Sequence, residues 1–235
     1  MSEFSKMLHS NIDEFNQLTK HSKKISFKKV HELRILTRKF RAALWIAEKN
    51  RVKPPRKIKK QLRSMGRRLG QCRQIDVLIG DAETYHFSTR RLQKQKQKVQ
   101  KKLVHHLEKE KLKSLQKELL RICAKVKLSS SSSYLKRSIA HPLQKWPQNF
   151  PSDKAKLHAL RIEAKKIIYR LSLLEVKPAP LKKLQKHLGR VHDLEVLAKH
   201  FSTKKKIRRD LKYQLLKAHD CYRQAKDYTD RDRLV

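Results

Sequence analysis

Apolar residues recur along this chain at helical spacing, and runs of β-branched or aromatic residues are scarce. Phe4, Leu8, Ile12, Phe15 and Leu18 predict a helix over residues 3–20. Leu33, Phe40, Leu44 and Ala47 form the apolar stripe of a second, over about 26–49. Pro54-Pro55 ends the connection and pre-sets the start of a third helix, which runs through 57–79. Leu92, Val99, Leu103, Leu107, Leu115 and Leu119 predict one long basic helix over about 88–127. A short helix is predicted at about 134–145, and the three prolines between His141 and Asp153 mark a loop. Ser152 or Asp153 is placed to cap the next helix. Pro178 and Pro180 break the chain once more, before a seventh helix through 181–197 and an eighth over about 204–228. With only four glycines, the chain reads as all-α.

The polar positions repeat. VHELRILTRKF places His31, Arg34 and Arg38 on one helix face, and LHALRIEAKKI does the same with His158, Arg161 and Lys165. Corresponding residues are 127 apart (158 − 31). Arg41 extends the first row, which lies about 100° or more around the helix from the apolar stripe. On the third helix Lys59, Arg63, Gly66, Gly70 and Arg73 share a face, where the glycines lower the surface for a close neighbour. A second pair of segments, RRLGQCRQIDVL and KHLGRVHDLEVL, matches at an offset of 119 (188 − 69), pairing Arg73 with His192. Two motifs in the same order in both halves predict a duplicated four-helix unit. The serine run 129–133 is the expected linker between a first unit, 1–128, and a second, 134–235.

Charge sharpens this picture. Lys and Arg number 61 against 21 Asp and Glu, a formal net charge of +40. A row of like charges on one face repels itself, and two such rows on so basic a chain point to a polyanionic partner. Three scattered cysteines without CxxC spacing, no secretory signal and no long apolar run point to a cytoplasmic protein. Aromatic residues make up 6% and do not interleave with the basic clusters, a poor platform for stacked bases. His105-His106 and His187/His192 lack further ligands at suitable spacing, so no metal is expected. Neither a nucleophile–base pair nor a Gly-rich phosphate loop is evident, and neither catalysis nor a cofactor is expected.

His31-x-x-Arg34 and His158-x-x-Arg161, each followed by a cation pair (Arg38-Lys39 and Lys165-Lys166), together with the Leu-Gly segments at 69–74 and 188–193, resemble the CHAD family, the conserved histidine α-helical domain. The resemblance covers nearly the whole chain. It implies two pseudo-symmetric four-helix bundles with a basic central groove or pore that binds inorganic polyphosphate, and association with polyphosphate granules. The binding residues it implies in the first half are His31, Arg34, Arg38, Arg41, Lys59, Arg63, Arg67 and Arg73. In the second half they are His158, Arg161, Lys165, Lys182, Lys186 and His192. Two departures stand out: Ile168 replaces an expected arginine, and Gln74 an expected aspartate. They imply fewer arginines in the second half and a missing Asp–Arg strut in the first.

A phosphate polymer has no bases to read, so it needs cations spread along a surface, with arginines offering forked donors and lysines point charges. Non-specific RNA or DNA binding would draw on the same charge and is the main alternative. An enzyme acting on polyphosphate and an adaptor for acidic proteins are the others.

Overall fold

Ser26 and Asp153 act as stops that let two central helices begin. Each adopts an extended backbone, and its side-chain oxygen accepts a hydrogen bond from the amide three residues on: Lys29 N at 3.2 Å and Lys156 N at 2.9 Å. This satisfies an amide that the helix itself leaves unbonded, an effect worth ~1 kcal/mol. A computed structural model describes residues 3–20, 25–109, 112–126, 138–139, 141–142, 144–176, 178–201 and 204–230. Among these, the long regular elements are all α-helices. They are α1 (Glu3–Thr19), α2 (Phe27–Lys49), α3 (Arg56–Thr84), α4 (Arg90–Lys109), α5 (Leu112–Lys125), α6 (Lys154–Ser172), α7 (Ala179–His200) and α8 (Lys205–Asp230).

The chain divides into two compact units, residues 1–83 with 88–131, and residues 84–87 with 132–235. The serine run 129–133 lies outside the described residues. So does part of the short helix expected at 134–145, of which residues 138–139, 141–142 and 144 are helical.

In the first unit, the predicted stripes of α1 and α2 face each other. Phe4, Leu8, Ile12, Phe15, Leu33 and Phe40 are all at most 2% exposed. Phe15 meets Phe40 edge-on at 5.4 Å, a contact worth ~0.5–1.5 kcal/mol beyond the area it buries. α2 and α3 touch at Thr37, whose hydroxyl donates to Leu33 O at 2.8 Å and lies 3.6 Å from Met65 Sδ. A Cβ added at Gly66 would lie 3.6 Å from Thr37 Cγ2, an ordinary contact, and one at Gly70 would meet nothing within 4 Å. The glycine pair therefore admits no other backbone among the described residues. α3 and α4 are joined by Lys96, 2.8 Å from Oδ1 of the buried Asp76.

The long helix expected over 88–127 is two helices, α4 and α5. Cys123 on α5 donates to Ser5 Oγ on α1 at 3.2 Å, and α5 packs on α1 and α2. The leucine spacing could not show this division. Leu107 and Leu115 are eight residues apart, close to two turns, so the stripe continues in phase through the break.

In the second unit α7 packs against both α6 and α8. Leu160, Ile167, Leu171, Leu184, Leu188, Leu194 and Leu197 are buried at this junction. Trp146 stacks on Tyr222 at 5.6 Å, which fixes the loop before α6 against α8. Residues 84–87 belong to this unit. The Tyr85 hydroxyl donates to Asp210 Oδ2 at 2.5 Å, Lys204 donates to Tyr85 O at 2.8 Å, and Phe87 stacks on Phe201 at 4.4 Å.

Candidate functional site

Each unit carries a cationic cluster around its His-x-x-Arg helix. In the first, α2 supplies His31, Arg34, Arg38 and Arg41, and α3 brings cations beside them. Arg41 keeps contact with solvent, yet partial burial and then repulsion from Arg63 and Arg38 lower its pKa from the ordinary arginine value. His31 is lowered by partial burial, then by Arg73, Arg34 and Arg38, with Glu32 the one opposing neighbour. These shifts place Arg63 beside the outer end of the α2 row and Arg73 beside His31. The Arg73 guanidinium lies 4.3 Å from the Phe27 ring, and its buried Nη1 has no hydrogen-bond partner. Gln74, standing where an aspartate was expected, is exposed.

Three of the first-half cations stand apart from this cluster. Lys59 pairs with Glu48, so its charge is largely matched within the protein. Lys39 donates to Asn11 Oδ1 on α1 at 2.7 Å and turns away from the row. Arg67 is exposed, and nothing among the described residues ties it to the others.

In the second unit the His158 ring on α6 lies 5.5 Å from the His192 ring on α7. His192 is half-buried, and its pKa falls from 6.5 to about 4. Burial is the main cause, followed by Arg161, His158, Lys165 and Lys199. Both histidines line an open cleft of about 620 Å³ together with Lys154, Glu195, Lys199 and Arg208. Lys154 lies 3.9 Å from Glu195, a loose ion pair at the rim. Lys182 and Lys186 are exposed on the first turns of α7, and nothing among the described residues joins them to the histidine pair.

Sequence reasoning missed Lys154, Lys199 and Arg208. Two of them had a signal: Lys154 stands four residues before His158, and Lys199 seven after His192, both same-face spacings. Arg208 had none, because only the packing of α8 on α7 brings it to the cleft.

Such an arrangement supplies positive charge and forked donors over two patches, with the depressed His31 and His192 imidazoles able to take up protons when an anion arrives. Among the described residues no three His, Cys, Asp or Glu side chains converge as a metal would require, and His187 is instead hydrogen-bonded to Gln214 at 2.8 Å. Nor is any helix among them long and apolar enough to cross a membrane.

Comparison with known proteins agrees with this fold. The profile of the CHAD domain matches residues 12–202. The fold is similar to the crystal structure of the CHAD domain from the plant Ricinus communis. The TM-score is 0.67 and the identity 18%, over 96% of this chain and 90% of that one. It is also similar to PptA from Streptomyces chartreusis, with a TM-score of 0.60 and 11% identity over 97% of both chains. No curated protein sequence matches. A family profile that spans most of the chain, on an all-helical fold bearing the His-x-x-Arg helices, establishes that this protein belongs to the CHAD domain family.

Proposed function

We propose that this protein binds long-chain inorganic polyphosphate, does not cleave it, and through that binding associates with polyphosphate granules. The observation that carries the reading is the equivalence of the two clusters. In the first unit the histidine of the His-x-x-Arg helix sits beside Arg73, and in the second its counterpart sits beside His192. Positions 73 and 192 are the very pair that the 119-residue offset aligns (192 − 73). Equivalent positions thus stand near one another in both units, which supports an origin by duplication and a shared purpose for the two rows.

Charge crowding supports a phosphate partner. Partial burial and then repulsion from Arg63 and Arg38 lower the Arg41 pKa, so holding these cations together is unfavourable in the free protein. A linear phosphate chain removes that penalty by lying across them, and each contact with a cation releases a counterion.

Titration of the protein with long-chain polyphosphate, with single-stranded RNA as competitor, tests the reading. Polyphosphate is expected to displace RNA readily and RNA to displace polyphosphate poorly. Chain-length analysis after prolonged incubation is expected to show unshortened polymer. Displacement in the opposite order favours nucleic acid as the partner, and released phosphate identifies an enzyme.

A further inference from the structure

α8 opens with five cations in eight residues, Lys205, Lys206, Arg208, Arg209 and Lys212, and all five side chains are exposed. They border a second open cleft, of about 570 Å³. One carboxylate, Asp210, falls within the same stretch, but it faces the 84–87 segment, where it accepts the hydroxyl of the buried Tyr85. It is therefore engaged in holding that segment and does not neutralise the row. No ion pair among the described residues engages Lys205, Arg208, Arg209 or Lys212. Arg208 belongs to both clefts: it lines the His158–His192 cleft on one side and the α8 cleft on the other. Cations thus extend from the histidine pair, past Lys199 and Arg208, to Lys212, with Glu195 the carboxylate that lines the first cleft. The α8 stretch alone adds about 10 Å of helix length.

We infer that this stretch of α8 is a second contact surface for the anion, a track that holds the part of a phosphate chain emerging from the His158–His192 cleft. The inference rests on the polyphosphate reading and adds length selectivity to it. A short chain confined to the cleft meets the histidines, Lys199 and Arg208, whereas a long one also reaches Arg209 and Lys212. Flexible, solvated lysines and arginines suit a ligand that continues in variable conformations, since each contributes charge without demanding one geometry. Single-stranded RNA is the competing occupant, but beside the stretch the exposed Tyr213 offers a single ring, where a platform for successive bases needs several.

The test substitutes Lys205, Arg209 and Lys212 together by Gln and leaves Arg208, which lines both clefts, in place. The three side chains are exposed, so the melting temperature of the ligand-free variant is expected to match or slightly exceed that of the wild type. Two phosphate probes, tripolyphosphate and long-chain polyphosphate, are titrated across a salt series, and single-stranded RNA is titrated alongside them. Long-chain affinity is expected to fall about tenfold and its salt dependence to become shallower by about two to three in log–log slope, with tripolyphosphate binding unchanged. Equal losses for both probes, or no loss for either, overturn the track while leaving the proposed function standing. A loss confined to single-stranded RNA overturns it in favour of nucleic acid. Wild-type protein that binds neither phosphate probe overturns both readings.

Discussion

Acidification should destabilise this protein through its depressed histidines, His192 above all. Its pKa in the folded chain is about 4, against 6.5 for an ordinary histidine, because burial and then Arg161, His158, Lys165 and Lys199 all disfavour its cation. Between those two values the unfolded chain binds a proton that the folded chain does not. The stability contributed by keeping this ring neutral is therefore complete above about pH 6.5 and is lost as pH falls toward about 4. At about 1.4 kcal/mol per unit the shift corresponds to an upper bound of ~3 kcal/mol. The ring borders an open cleft, and solvent screening reduces this to ~1–2 kcal/mol. The perturbation is His192→Gln, which keeps a polar side chain of similar reach and removes the titration. Urea unfolding at a series of pH values between about 7 and 4 should show the wild type losing ~1–2 kcal/mol more than the variant. Bound polyphosphate should reverse the sign of the effect. Its negative charge raises the pKa of the ring, so wild-type affinity rises as pH falls below neutrality, and the variant gains less. Wild-type and variant stability curves that run parallel across the range would refute the depressed pKa and the burial and cation crowding that cause it.

Lys96→Ala should cost ~3 kcal/mol in stability, measured by urea unfolding, because it strands the Asp76 carboxylate, which is 2% exposed, without its ion pair; a loss below 0.5 kcal/mol would show that Asp76 finds other compensation. Arg34→Ala with Arg161→Ala should weaken polyphosphate binding by roughly a hundredfold in titration calorimetry, given ~1.5–3 kcal/mol for a charge-assisted hydrogen bond. Lys94→Ala with Lys98→Ala, on the exposed side of α4, should change affinity less than threefold, and comparable losses from both pairs would reduce the site to diffuse charge. The three thiols should resist a water-soluble disulfide reagent at about pH 8 until the protein is unfolded, because burial raises each above the usual thiol range and takes Cys72 to about 11. Rapid labelling of the native protein would contradict the packing of Cys72 and Cys123. Saturating polyphosphate should raise the melting temperature, since a ligand that binds the folded state stabilises it, and an unchanged midpoint would argue against a folded-state site.

The role of Lys96 shows where sequence reading stops. On the primary chain it is one lysine among many in a basic helix, indistinguishable from Lys94 or Lys98. The fold singles it out, because α4 lies against α3 at the level of Asp76. The same holds for Lys59, which pattern alone placed in the anion-binding row and packing pairs with Glu48. Lys182 and Lys186, which the family resemblance placed among the binding residues, lie on the turns of α7 before His192, and nothing among the described residues joins them to the His158 contact. Helical periodicity assigns a direction around one axis. It says nothing of which neighbouring helix, or which acid on it, stands in that direction.

By itself the sequence determined the all-helical class, the bounds of α1 and α2 to within a residue or two, a cap at Ser152 or Asp153, and the two histidine–arginine rows. These are local properties, set by hydrogen bonds and side-chain spacing within about four residues. Only the tertiary structure decided that the helix over 88–127 is two and that residues 84–87 pack with the second unit. It alone put Arg63 and Arg73 beside the α2 row, and Arg208 at the cleft of His158 and His192. Those outcomes depend on contacts between residues far apart in the chain. They follow from how buried surfaces fit together, which no spacing along a single helix encodes.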